Sequence, residues 1–200
     1  MNFNRSVLML IGLMLGLISL SKPYIYNGIV EDADLFSNCV NQPKNTLGFH
    51  GLFNLSELHF DTESDPVIIS GNSTSIWDIK PTDIIQVSFE MLRYDRGSWQ
   101  PTTFAISVPN LCPTMYNENQ YWYKAWLKYV TNKNKIRRKC LSPGTKFEYE
   151  PFFMDIKMET NVGDMNGRFK LVFQLKAFDE FHRIRPTSIC FEIKFELDRQ

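Results

Sequence analysis

Residues 189–197 read ICFEIKFEL, and they alternate without a break. Ile189, Phe191, Ile193, Phe195 and Leu197 fall on one side, and Glu192, Lys194 and Glu196 on the other. A repeat of two belongs to a β-strand, whose successive side chains point to opposite faces. A helix, repeating every ~3.6 residues, would scatter the five apolar side chains around its axis. The stretch is therefore a strand with one buried and one wet face, as antiparallel sheets provide.

The same reading spreads outward along the chain. Ile85, Val87, Phe89 and Met91 alternate with Gln86, Ser88 and Glu90. The turn DRGS (Asp95–Ser98) follows, and Phe104, Ile106 and Val108 then share a face, so residues 84–108 form a β-hairpin. Met154, Ile156 and Met158 alternate with charged residues. After the turn-rich NVGDMNG (Asn161–Gly167), Phe169, Leu171, Phe173 and Leu175 do the same. Val67–Ile79 is a further strand candidate, whereas Asn38–Gly51 is rich in turn formers. Several antiparallel strands of this kind define a mostly β chain, a two-sheet β-sandwich or β-cup.

One segment departs from the pattern. Residues 117–130, NENQYWYKAWLKYV, place Trp122, Trp126 and Tyr129 at helical spacing, with Lys124 and Lys128 elsewhere. An amphipathic helix over about 117–131 is expected, capped by Asn117 or Asn119.

The N-terminus carries Arg5, then the apolar run VLMLIGLMLGLI (Val7–Ile18) and small residues at Ser19–Ser21. That is the layout of a secretory signal, so residues 1–21 are assigned to it and residues 22–200 to a single extracellular domain. The apolar run is shorter than the roughly 20 residues a spanning helix needs. About 180 residues suit one domain with a sizeable core. The chain has 22 basic and 22 acidic residues, which gives no global attraction to nucleic acid.

Cys39, Cys112, Cys140 and Cys190 make an even set, expected to form two disulfides in an exported protein. The sequence by itself leaves three pairings open. No C-x-x-C pair is present, so neither a zinc ribbon nor a thioredoxin-type site is expected. Two sequons, Asn54-Leu-Ser56 and Asn72-Ser-Thr74, place Asn54 and Asn72 on the surface as glycosylation sites.

Signals for catalysis are missing. His50, His59 and His182 show no metal-ligand spacing, and there is no G-x-S-x-G elbow, Walker loop or G-x-G-x-x-G. Neither an enzyme, a metal nor a cofactor is expected. The acidic run Glu57–Asp65 lacks the regular ligands and glycine turn of a calcium loop. Lys133, Lys135, Arg137, Arg138 and Lys139 read as a solvated basic segment. Beside the aromatic helix they also suit a transient contact with a membrane surface.

Four longer stretches carry a family resemblance: GNSTSIWDIKPTDII (Gly71–Ile85), RYDRGSWQPT (Arg93–Thr102), NQYWYKAW (Asn119–Trp126) and AFDEFHRIRPTSICFEI (Ala177–Ile193). They resemble the insect CheB-type chemosensory proteins, small secreted proteins of taste and pheromone-sensing sensilla. That family is similar in turn to the ganglioside activator protein and the ML-type lipid-binding β-cups. The resemblance implies two sheets splayed around an apolar cavity, and a non-enzymatic role in carrying a lipid, cuticular hydrocarbon or pheromone. It implies the pairing Cys39–Cys190 and Cys112–Cys140, with the activator's additional loop staples absent. On that reading Trp122 and Trp126 face inward from a tethered flap. Phe89, Met91, Phe104, Ile106, Met154, Ile156, Phe169, Phe173 and Phe191 are the wall candidates. The competing expectation is a solid β-sandwich that modulates a sensory receptor or channel through its exposed aromatic and basic residues.

Overall fold

The structure is a computed structural model and describes residues 23–31, 35–61, 67–153 and 156–200. The expected signal segment and Met154 lie outside the described residues.

Twelve described strands form two sheets. The larger contains β1 (Tyr24–Val30), β2 (Ser37–Asn38), β3 (Thr46–Leu47), β7 (Ile84–Asp95), β8 (Ser98–Val108), β10 (Ile156–Thr160), β11 (Gly167–Phe178) and β12 (Ile184–Arg199). Its order is β10-β1-β12-β11-β7-β8, with β2 and β3 also pairing β12. The smaller contains β4 (Phe53–Asn54), β5 (Leu58–Asp61), β6 (Ile68–Ser75) and β9 (Lys146–Phe153), all arranged about β6. The chain crosses from the smaller sheet to the larger between β9 and β10.

The strand that decides the fold is also its spine. β12 pairs along one edge with β11 and along the other with β3, β2 and β1 in turn. Antiparallel register lines up the inward residues in rows across the sheet. Ile106, Phe89, Phe173 and Phe191 make one row, with the rings of Phe173 and Phe191 stacked at 4.8 Å. Met91, Leu171 and Ile193 make the next row. Such cross-strand rows are the unit of sheet stabilisation. A bulge between Glu90 and Leu92 shifts the β7–β8 register, and there Thr102 Oγ1 donates to the Met91 carbonyl at 2.7 Å.

The β6–β9 register shifts between Ile69 and Gly71, with the extra residue on β9 between Tyr149 and Phe152, and φ of Gly71 is +101°. A Cβ at this position would stand 2.2 Å from the Glu57 carbonyl oxygen. Backbone cannot yield as a flexible side chain would, so Gly71→Ala is expected to cost about 2 kcal/mol. A urea midpoint unchanged by the substitution would contradict this.

The candidate helix is broken rather than continuous. α1 (Phe49–Leu52) and α2 (Leu111–Thr114) precede it; α3 then spans only Tyr121–Ala125, a 3-10 turn covers Leu127–Tyr129, and α4 spans Lys133–Ile136. The residue before α3 is Gln120, which makes no side-chain cap, and Asn117 Oδ1 instead accepts from Asn119 N at 3.0 Å. At Trp126 the backbone leaves helical values, with φ −135° and ψ −63°. The chain then docks on β9: Thr131 N donates to the Glu148 carbonyl at 2.8 Å, and Asn132 Nδ2 to the Lys146 carbonyl at 2.9 Å. These bonds satisfy an otherwise open strand edge.

Cys39–Cys190 and Cys112–Cys140 are the two disulfides. The first pins the segment after β2 to β12. The second closes the segment that holds α3, the 3-10 turn and α4. Two disulfides are compatible with an extracellular protein. Among the described residues no helix is long and apolar enough to cross a membrane.

Two ion pairs brace the larger sheet. Arg185 clasps Asp83 with both ends of its guanidinium, Nε to Oδ2 at 2.7 Å and Nη2 to Oδ1 at 2.6 Å. Burial alone would raise the Asp83 pKa, but the Arg185 bonds, the Lys80 N–H and the nearby charges outweigh it and leave the pKa below its ordinary value. A carboxyl depressed on folding contributes stability above its unfolded pKa, and loses that contribution as pH falls through the lowered folded value. Unfolding should therefore become easier below about pH 4. Asp83→Asn should flatten this acid limb, and an unchanged limb would remove Asp83 from the account. On the outward face, Lys170 Nζ meets Glu192 Oε1 at 3.0 Å, both side chains are less than a tenth exposed, and the Trp99 ring lies 5.0 Å from the ammonium.

Candidate ligand cavity

The inner faces of the sheets do not pack against each other throughout. An apolar cavity of about 270 Å³ lies between them. That is well above the roughly 150 Å³ of an apolar cavity that holds benzene, and close to the lower end of small-molecule pockets.

The wall is built from four directions. β7, β11 and β12 supply Val87, Phe89, Phe173, Leu175, Phe191 and Ile193. The smaller sheet supplies Leu58, Phe60, Ile69, Ser73, Tyr149 and Phe152. The N-terminal segment adds Phe36, Phe49, Leu52, Phe53 and Leu55. The disulfide-closed segment and the residues flanking it add Leu111, Met115, Trp122, Ala125, Trp126 and Leu141. Of these, only Phe60 on β5 and Ala125 on α3 are exposed.

Aromatic contacts hold the two tryptophans in place. Trp122 meets Phe89 edge-on at 6.5 Å and donates its indole N–H to the Met115 carbonyl at 3.0 Å. Trp126 packs on Phe147 at 5.4 Å and Phe53 at 5.7 Å. Its N–H donates to the Tyr149 hydroxyl at 2.9 Å, which also bonds Ser73 Oγ at 2.6 Å. Burial raises the Tyr149 pKa above the ordinary phenol value, against the opposing pull of its bonds to Ser73 and Trp126. Nearby Tyr116 is pushed up to about 12, mainly by burial. Among the described residues, no charged residue and no histidine lines the cavity.

The sequence-derived wall candidates that lie among the described residues divide three ways. Phe89, Trp122, Trp126, Phe173 and Phe191 line the cavity. Phe104 and Ile106 pack on the same core cluster without reaching the lining. Met91, Ile156 and Phe169 belong to a second cluster around Tyr26, Phe195 and Leu197, further along the strands. Met154 is outside the described residues.

The N-terminal wall was not anticipated, because residues 38–51 read as turn formers. The spacing of Phe49, Leu52, Phe53 and Leu55 just beyond was the available signal. Tyr149 and Phe152 were obscured by Pro151, which interrupts their alternation.

The remaining candidates lie outside the cavity wall. Asn54 is exposed, and Asn72 is half-buried in mid-β6, donating to Glu57 Oε2 at 3.0 Å. Lys133, in the basic segment, sits 5.5 Å from the Tyr123 ring, while Ile136 is buried. No protein-family model matches the chain, and no curated protein matches it either.

Proposed function

We propose that the protein binds and carries a hydrophobic ligand, without covalent chemistry, in an extracellular chemosensory setting. One observation carries the binding part: the space left between two apolar sheet faces and floored by Trp122 and Trp126. Filling it transfers apolar surface from water at roughly 25 cal/mol per Å², offset by the cost of association. A fully packed interior would have favoured action by surface contact alone. The chemosensory setting and secretion rest on the sequence resemblance and the signal-like N-terminus.

Native mass spectrometry of the secreted, disulfide-intact protein tests the binding. A stoichiometric lipid that leaves on denaturing extraction supports the proposal. Trp122→Ala and Trp126→Ala should each weaken binding of that lipid by about tenfold or more. An empty protein that stays empty after challenge with hydrocarbons, fatty acids and glycolipids would sink it.

A further inference from the structure

We propose that the cavity selects an uncharged chain bearing one acceptor oxygen, such as a ketone or ester carbonyl, and that Ser73 and Tyr149 hold that oxygen. This rests on the cavity being a ligand site.

The argument is a count of hydrogens. Ser73 on β6 and Tyr149 on β9 are diagonal neighbours across the antiparallel pair, since Ser73 faces Phe147 and Gly71 faces Tyr149. Their hydroxyls meet at 2.6 Å, and Trp126 Nε1 reaches the Tyr149 oxygen at 2.9 Å. These groups bring three hydrogens: one on the indole, one on the phenol and one on the serine. They make two bonds. If Tyr149 donates to Ser73, the serine hydrogen is left over. If Ser73 donates to Tyr149, the phenol hydrogen is left over. No other hydrogen bond joins either side chain to the described residues. One hydroxyl hydrogen therefore has no acceptor among the described residues, whichever way the pair is oriented.

Both residues belong to the cavity wall, and Ser73 is 2% exposed. An undonated hydroxyl in an apolar wall is unfavourable until an acceptor arrives. The raised Tyr149 pKa keeps the phenol protonated at neutral pH, so the spare hydrogen persists.

The remainder of the wall sets the other half of the selection. A carboxylate would enter with no cation to meet it among the described residues, since no Lys, Arg or His of these lines the cavity. A plain hydrocarbon would fit the apolar wall but leave the hydrogen unmet. A ketone or ester satisfies both conditions.

Displacement of N-phenyl-1-naphthylamine by undecane, 2-undecanone and undecanoate, three chains of equal carbon number, tests this. Wild type should bind 2-undecanone at least as tightly as undecane, despite the cost of drying a carbonyl, and undecanoate weakest. Ser73→Ala leaves one spare hydrogen on Tyr149 and should keep that order. In Ser73→Ala/Tyr149→Phe both hydroxyls are gone. The ketone should then weaken by about tenfold relative to undecane, a loss limited by the Trp126 N–H that remains.

Three results would overturn the inference. Tenfold tighter binding of undecane than of ketone by wild type would mean that the spare hydrogen is unavailable to a ligand. An equal response of both ligands to the double substitution would mean that the hydroxyls only shape the wall. In either case the cavity remains a ligand site. If no chain displaces the probe, the carrier reading falls and takes this inference with it.

Discussion

Cys39→Ala combined with Cys190→Ala is expected to lower stability by about 5 kcal/mol, against about 3.5 kcal/mol for removing Cys112–Cys140 in the same way. The two bridges span 151 and 28 residues, and the entropy withheld from the unfolded chain grows with the logarithm of that span. The native side of the balance points the same way. β2 is two residues long and holds to β12 only at Asn38 and Ser37. Without its bridge nothing of comparable strength keeps Phe36 stacked on Phe49 at 3.7 Å, and both rings line the cavity. A domain of this size has only about 5–15 kcal/mol in total, so the longer bridge decides whether it folds at all. Urea titration of the two double variants checks the order. If loss of Cys112–Cys140 proves the more damaging, chain entropy is not what these bridges contribute.

Glu192→Leu is expected to cost about 3–5 kcal/mol, although the residue lies on the sheet face turned away from the cavity. Lys170 and Glu192 have side chains only 9% and 7% exposed. Removing the carboxylate leaves an ammonium under Trp99 with neither water nor a counter-charge to meet it. The pair is not thereby a large net stabiliser, because drying both ions offsets most of their attraction. The sharper expectation concerns the double variant. Lys170→Met/Glu192→Leu should recover most of what Glu192→Leu loses, since no charge is then stranded. Urea midpoints for the single and double variants give the coupling directly. Additive losses would show that these residues act independently.

Much of the fold was legible because alternation reports which face a side chain takes. The 84–108 hairpin and the final strand follow from that rule alone. Alternation is silent about depth along a strand, and there the wall assignments divide. Phe169 and Phe173 share a face of β11, yet four residues at ~3.3 Å each separate them by about 13 Å. Phe173 reaches the cavity and Phe169 the second cluster. The helix was overextended for a different reason. Spacing of aromatic residues suggested continuity through Trp126. The indole instead turns to meet Tyr149, Phe53 and Phe147, and those contacts outweigh the modest helix preference of aromatic residues. The Ser73–Tyr149–Trp126 cluster could not be read from one chain segment, since it joins three that are distant in sequence.

The position of β12 as spine also fixes the order of events as the chain is made. Strands β1, β2 and β3 all wait for a partner encoded more than 140 residues later. Until β12 has emerged, the larger sheet lacks its centre, and the apolar faces of the N-terminal third have nowhere to settle. Cys39 meets Cys112 and Cys140 on the nascent chain before Cys190 exists. In an oxidising compartment Cys112 and Cys140 can close their native bridge first, and any bond that Cys39 makes before Cys190 emerges must be exchanged, a process of seconds to hours. Yield in the cell then depends on thiol–disulfide reshuffling and on protection of unpaired strands during synthesis, and not on the equilibrium stability of the finished domain alone.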